Sequence, residues 1–218
     1  HGIDITGDNA AMQRLRDELI EARHKVEAAE QKIHELEAEL EQVSTLVHED
    51  QLTGTLNRRG MDDAFERELA RADRVKSPLC VALLDVDNFK KLNDTLGHQA
   101  GDEALLHLVR VVKETLRPMD IIARFGGEEF VIILPDADLS EAISVMTRLQ
   151  RELTKKFFLY KNQRVLITFS AGVALREPDE VPNSMIERAD KAVYKAKEAG
   201  RNLVLAAEPR PASDNPSP

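Results

Sequence analysis

From residue 12 to residue 47 apolar side chains recur at intervals of three and four without a break. They are Met12, Leu15, Leu19, Ala22, Val26, Ala29, Ile33, Leu36, Leu40, Val43 and Val47. No glycine or proline interrupts the chain between Gly7 and Gly54. A 3.5-residue repeat held this long keeps one seam toward a partner only if two helices supercoil. Residues 8–49 are therefore expected to form a coiled-coil helix, whose 36 patterned residues span roughly 54 Å.

The flanking charges select an orientation. In a parallel, in-register dimer Glu18 meets Arg23, Lys25 meets Glu30 and Lys32 meets Glu37. Each pair is of opposite sign, and each fixes register more than it stabilises, at ~0.3–0.5 kcal/mol when exposed. Ala22 and Ala29 at inner positions leave the middle thinly packed, so a change of register or crossing angle is expected there. His24, His34 and His48 read as solvated or seam-flanking residues rather than metal ligands.

From residue 50 the texture changes. Composition allows a real core, with 42% apolar residues, while the net charge of −9 argues against a general DNA-binding or anionic-membrane surface. No run of about 18 apolar residues marks a membrane span and no signal-peptide pattern opens the chain. With the single cysteine, Cys80, inside an apolar run, these features suggest a cytoplasmic location. The first residue is His1 rather than methionine, so further sequence, including a sensor, is expected upstream.

Residues 50–207 alternate in period. Helices are expected at 59–75, 102–116, 139–156 and 183–199, and strands at 79–86, 164–175 and 202–206. A hairpin is expected around Gly126-Gly127, where a type I′ turn uses positive φ at both positions. The stretch Asn88 to Leu105 reads as a polar loop before a helix. This order predicts an α/β (α+β) domain with a mixed, ferredoxin-like sheet flanked by helices. Residues 208–218, with four prolines, read as a disordered tail.

The chemistry concentrates where strands bring acids together. Asp85 ends the first strand, and Glu128 is expected to begin the outgoing arm of the hairpin. Neighbouring strands would bring these carboxylates together, and two such groups repel unless a cation lies between them. Oxygen ligands completed by water and phosphate suit Mg²⁺. Glycines at the turn admit a flat base or a phosphate. Lys90 is placed near such phosphates, and Asn93 and Asp102 offer the amide and carboxylate that a guanine edge demands. Asp102 also reads as an ordinary N-cap. Lys197 and Arg201, a turn apart, read either as cations at a helix end capped by Gly200 or as a clamp on outer phosphates.

Four strings in order carry a resemblance: DQLTGTLNRR from Asp50, DVDNFKKLND from Asp85 followed by GHQAGD from Gly97, GGEEF from Gly126, and YKAKEAGRN from Tyr194. The chain resembles the GGDEF family of diguanylate cyclases over residues 50–202. The resemblance implies Mg²⁺-dependent condensation of two GTP into cyclic di-GMP and two pyrophosphates across a homodimer of half-sites. It implies that Asp85, the carbonyl of Val86 and Glu128 hold two Mg²⁺ ions, with Mn²⁺ as an alternative. Glu128 would also assist deprotonation of the ribose 3′-hydroxyl, and Lys90 would stabilise phosphate charge. Asn93, His98 and Asp102 would line the nucleotide site, and Lys197 and Arg201 would hold the β- and γ-phosphates. Glu129, on the opposite strand face from Glu128, is expected to have a lesser role. Arg117 and Asp120 match the family's R-x-x-D inhibitory site for the product, with Arg148 as a third contact; an ordinary capped loop around Pro118 is the alternative. Three rival readings stand beside this one: a binding domain without catalysis, a coiled-coil interaction protein with a globular cap, and a one-subunit cyclase or polymerase-like palm.

Overall fold

The computed structural model describes residues 5–210. The chain divides into two compact units near residue 46. The first is the body of a single helix, α1 (Ile5–His48). Its heptad positions from Met12 to Val43 that carry large apolar side chains are 51–71% exposed. Within this one chain the flanking charges pair along the helix, as Arg23 with Glu27, Lys25 with Glu21 and Lys32 with Glu35. Such exposed pairs are worth little, so the stripe of uncovered Leu, Ile and Val dominates the helix's surface chemistry.

The second unit runs in the order α2 (Arg58–Val75), β1 (Leu79–Val86), α3 (Phe89–Leu96), α4 (His98–Thr115), β2 (Ile121–Arg124) and β3 (Glu129–Pro135). There follow α5 (Leu139–Lys155), β4 (Phe158–Tyr160), β5 (Gln163–Val165), β6 (Phe169–Leu175), α6 (Pro182–Glu198) and β7 (Val204–Ala206). The main sheet has the order β2-β3-β1-β6-β7, antiparallel except for the β6–β7 pair. Its first four strands reproduce the expected ferredoxin-like arrangement.

β1 is buried along its whole length because both faces are covered. Cys80, Ala82 and Leu84 join one core with α4 and α5, while Leu79, Val81 and Leu83 join a second with α2 and α6. That two-sided burial is why the strand reads as a continuous apolar run rather than an alternating one. Cys80 lies wholly inside, and burial pushes its thiol up to about 12, far from nucleophilic use.

Three local expectations are corrected. The stretch expected as a polar loop folds into α3 and the first two turns of α4, divided at Gly97, whose φ of 92° ends one helix and starts the next. Asp102 consequently lies inside α4 and is not its N-cap. The strand expected at 164–175 is two: β5 pairs with β4 in a separate two-stranded sheet, and only β6 enters the main one. The connection between β2 and β3 spans Phe125 to Glu128, wider than a two-residue turn, and neither Gly126 nor Gly127 has positive φ. Of the expected tail, residues 208–210 lie against the domain, where Arg188 donates to Glu208 O and Arg210 N–H to Glu177 Oε1. The remainder lies outside the described residues.

Candidate active site

The sheet order places β1 between β3 and β6, so Asp85 stands opposite Glu129 on one side and Ser170 on the other. Asp85 is 8% exposed. Its Oδ2 lies 2.7 Å from Nζ of Lys197, which α6 delivers from its last turn. Its Oδ1 is buried with no hydrogen-bond partner. An orphaned carboxylate oxygen of this kind is costly and calls for a donor or a cation.

Glu128 is brought alongside by backbone pairing: Val86 N–H donates to Glu128 O at 3.1 Å. Its loop is held from below by Arg124, which donates to Gly126 O at 3.2 Å and to Gly127 O at 2.7 Å while also binding both oxygens of Asp50. Above Gly127 a Cβ would meet nothing within 4 Å, so a ligand can approach the backbone there.

Burial raises the affinity of Asp85 for protons even though Lys197 opposes the shift. Burial and the neighbouring Asp85 raise Glu128 likewise, and the same two causes raise Glu129. Glu129, given a lesser role from the strand alternation, thus shares the field of Asp85 because the two are register partners. Asp190 on α6 adds to that field; no motif in the sequence singled it out. Burial, with mutual repulsion of like charges, thus raises three neighbouring acids, and a cation bound among them would relieve both effects. Among the described residues no three His, Cys, Asp or Glu side chains form a metal-enclosing group. Two carboxylates and a backbone carbonyl leave positions for phosphate and water oxygens, a donor set that fits Mg²⁺ rather than a metal caged by protein alone.

The second cluster stands on α3 and α4. Lys90 is exposed on the first turn of α3. Asn93 is half-buried, and its Oδ1 is a second orphan. α4 passes so close that a Cβ on Gly101 would lie 1.8 Å from that oxygen. His98 and Asp102 are exposed and four residues apart on α4, hence on one face. Arg201 follows α6 in a left-handed turn with φ of 65°.

The R-x-x-D pair is joined within its own turn, and Arg117 Nη2 also donates to Pro135 O at 3.0 Å. Arg117 Nη2 lies 2.7 Å from Asp120 Oδ1, and the Arg117 N–H donates to Asp120 Oδ2. Arg148 donates to Thr115 O at the end of α4, next to this turn in sequence.

Residues 47–203 match the family described as "Diguanylate cyclase, GGDEF domain". The chain belongs to the GGDEF family. The diguanylate cyclase DgcP of Pseudomonas aeruginosa is 37% identical over 190 residues, covering 87% of this chain and 28% of that protein. This GGDEF chain therefore spans less than a third of that relative. The crystal structure of the coiled coil and GGDEF domain of DgcB from Caulobacter crescentus, in complex with c-di-GMP, matches with a TM-score of 0.78 at 35% identity. It covers 86% of this chain and 99% of that one. The active GGEEF domain of a diguanylate cyclase from Vibrio cholerae matches with a TM-score of 0.65 at 32% identity, over 70% and 97% of the two chains. No helix of this GGDEF protein, among the described residues, is long and apolar enough to cross a membrane.

Proposed function

We propose that this protein is a diguanylate cyclase that condenses two GTP molecules into cyclic di-GMP and two pyrophosphates. The observation that carries the reading is the orphaned Oδ1 of Asp85 beside Glu128, in a field where both acids and Glu129 resist ionisation. Asp85, Glu128 and the Val86 carbonyl would hold Mg²⁺, which when bound neutralises the acids and polarises phosphate oxygens. Glu128 would also assist removal of the proton of a ribose 3′-hydroxyl. Lys90 stabilises charge on the phosphates, and Lys197 and Arg201 take the outer phosphates, an arrangement of cations that eases departure of pyrophosphate. Asn93 and Asp102 read the guanine edge and His98 lines the same site.

One such domain orients one GTP, so the second reactant comes from a twin. The exposed heptad stripe of α1 supports a parallel homodimer, and the DgcB structure includes a coiled coil beside its GGDEF domain. Holding two reactants in register is worth up to ~7–11 kcal/mol of barrier. The R-x-x-D turn, with Arg148, is proposed as the product-inhibition site, an upstream sensor as the source of the signal, and the cytoplasm as the location. The test is incubation with GTP and Mg²⁺ followed by chromatographic separation. Wild type is expected to yield pppGpG and then cyclic di-GMP, and Glu128→Gln neither; full turnover by that variant overturns the assignment.

A further inference from the structure

The turn that presents Arg201 is built from three successive residues of positive φ: Gly200 at 120°, Arg201 at 65° and Asn202 at 50°. Glycine adopts such a conformation freely, but two adjacent side-chain-bearing residues do so only when their surroundings compel it. The compelling contacts are specific. Arg201 N–H donates to Ala196 O at 3.0 Å, which closes the end of α6. Asn202 N–H donates to Oδ2 of Asp87 at 2.9 Å.

Asp87 is buried, 9% exposed, one residue beyond β1. Its carboxylate accepts three hydrogen bonds: from Asn202 N–H, from Thr168 Oγ1 at 2.8 Å on the same oxygen, and from Ser170 Oγ at 2.7 Å on the other. Its own N–H donates to Thr168 O at 2.9 Å. One buried acid thus joins the end of β1, the start of β6 and the turn after α6. Buried carboxylates persist where every lone pair has such a use. The bond to Asn202 N–H is the one with a consequence outside the core, because it fixes the backbone from which Arg201 departs.

We infer that Asp87 is a positioning residue that sets the turn carrying Arg201, and through it the grip on the outer phosphates of a nucleoside triphosphate. The inference rests on the nucleotide reading of the preceding subsection. It assigns Asp87 no contact with substrate.

The experiment measures binding to the full chain with Mg²⁺ by calorimetry, using a non-hydrolysable GTP analogue and GMP, which lacks outer phosphates. Asp87→Ala is expected to weaken the analogue about tenfold and GMP less than twofold. Arg201→Ala should show the same selectivity, and the double variant no further loss, since the two act on one contact. Asp87→Asn should bind nearly as wild type, because an amide oxygen still accepts from Asn202 N–H and its NH₂ can donate to Ser170. Asn202→Pro, on the exposed turn, removes the same N–H and forbids positive φ. It should reproduce the selective loss even if Asp87→Ala proves unstable. Equal losses for both ligands, or additive losses with Arg201→Ala, overturn the inference. Wild type that discriminates between the ligands while Asp87→Ala and Asn202→Pro discriminate equally well refutes it alone. Wild type that binds the analogue no better than GMP refutes the phosphate-clamp reading, and the inference with it.

Discussion

Lys197 Nζ lies 2.7 Å from Asp85 Oδ2, so the last turn of α6 sets an ammonium against the acid that ends β1. That ammonium is also the group proposed for the outer phosphates. On that proposal, engagement of the nucleotide and release of Asp85 would be linked events at one side chain. Lys197 opposes the upward shift of the Asp85, Glu128 and Glu129 carboxyls, and burial still leaves all three above their usual range.

This imbalance predicts a trade between stability and activity at Glu128. Its folded-state proton affinity lies above its unfolded one, so the folded state binds more protons between the two values. Stability then falls as pH rises from the unfolded value through the folded one, and stays low above it. Glu128→Gln removes that cost. The metal-free variant should melt above wild type at neutral pH, with the difference shrinking as pH drops through the raised value. Its cyclase activity should fall by about 100-fold or more. Thermal melts across pH in EDTA, with turnover assayed in parallel, check both; a variant less stable at neutral pH contradicts the electrostatic account.

Gly101 offers a cleaner separation of fold from recognition. A Cβ there would collide with Asn93 Oδ1, the movable end of a side chain, and alanine favours a helix interior by ~1 kcal/mol over glycine. Phe89 Cζ also lies 3.1 Å from that Cβ, which offsets the helix gain, so Gly101→Ala should fold with near wild-type stability while displacing the amide proposed to read guanine. Its KM for GTP should rise about tenfold, with discrimination against ATP reduced. Steady-state kinetics with both nucleotides and a melt decide it. Unchanged discrimination would show that Asn93 does not read the base.

How far the sequence discloses these relationships depends on the distance between partners. β1 was legible because burial on both faces writes a continuous apolar run, and the helices packed on it show their own period. α3 was not, since its eight residues bury only Phe89 and offer no repeat to detect. The β4–β5 pair, three residues per strand, is equally short. At the glycine loop the turn chemistry suggested positive φ, but Arg124, anchored by Asp50 from 74 residues away, holds a wider loop instead. Asp87 gathers Thr168, Ser170 and Asn202 across 81 to 115 residues. The motif containing it is visible in the sequence, but the partners that give it a task are not.

The Arg117–Asp120 pair predicts a cost for removing the proposed inhibitory arginine. The Asp120 side chain is 0% exposed and takes hydrogen bonds from the N–H, Nε and Nη2 of Arg117. Arg117→Ala leaves a buried carboxylate with one of these donors. The domain should lose ~1–3 kcal/mol. Initial turnover should stay near wild type, while inhibition by added cyclic di-GMP should weaken at least tenfold. Chemical denaturation and inhibition curves on the same preparation test the two effects. Unchanged sensitivity to product means the turn is only a loop clasp.

The uncovered stripe of α1 makes the final prediction. Ile33 and Leu36 are 54% and 51% exposed in the single chain, where water contacts apolar surface that a twin helix would cover. A charge at these positions favours the separated helix without touching the GGDEF domain. Ile33→Lys with Leu36→Lys should shift sedimentation at micromolar concentration from dimer to monomer. GTP binding per chain should stay intact, because each chain carries the whole set of side chains proposed to bind the nucleotide. Turnover per chain should fall at least tenfold and rise with protein concentration, since catalysis then waits on an encounter between two loaded domains. If the monomeric variant turns over at the wild-type rate, independent of concentration, one domain performs both phosphoryl transfers and the half-site proposal fails.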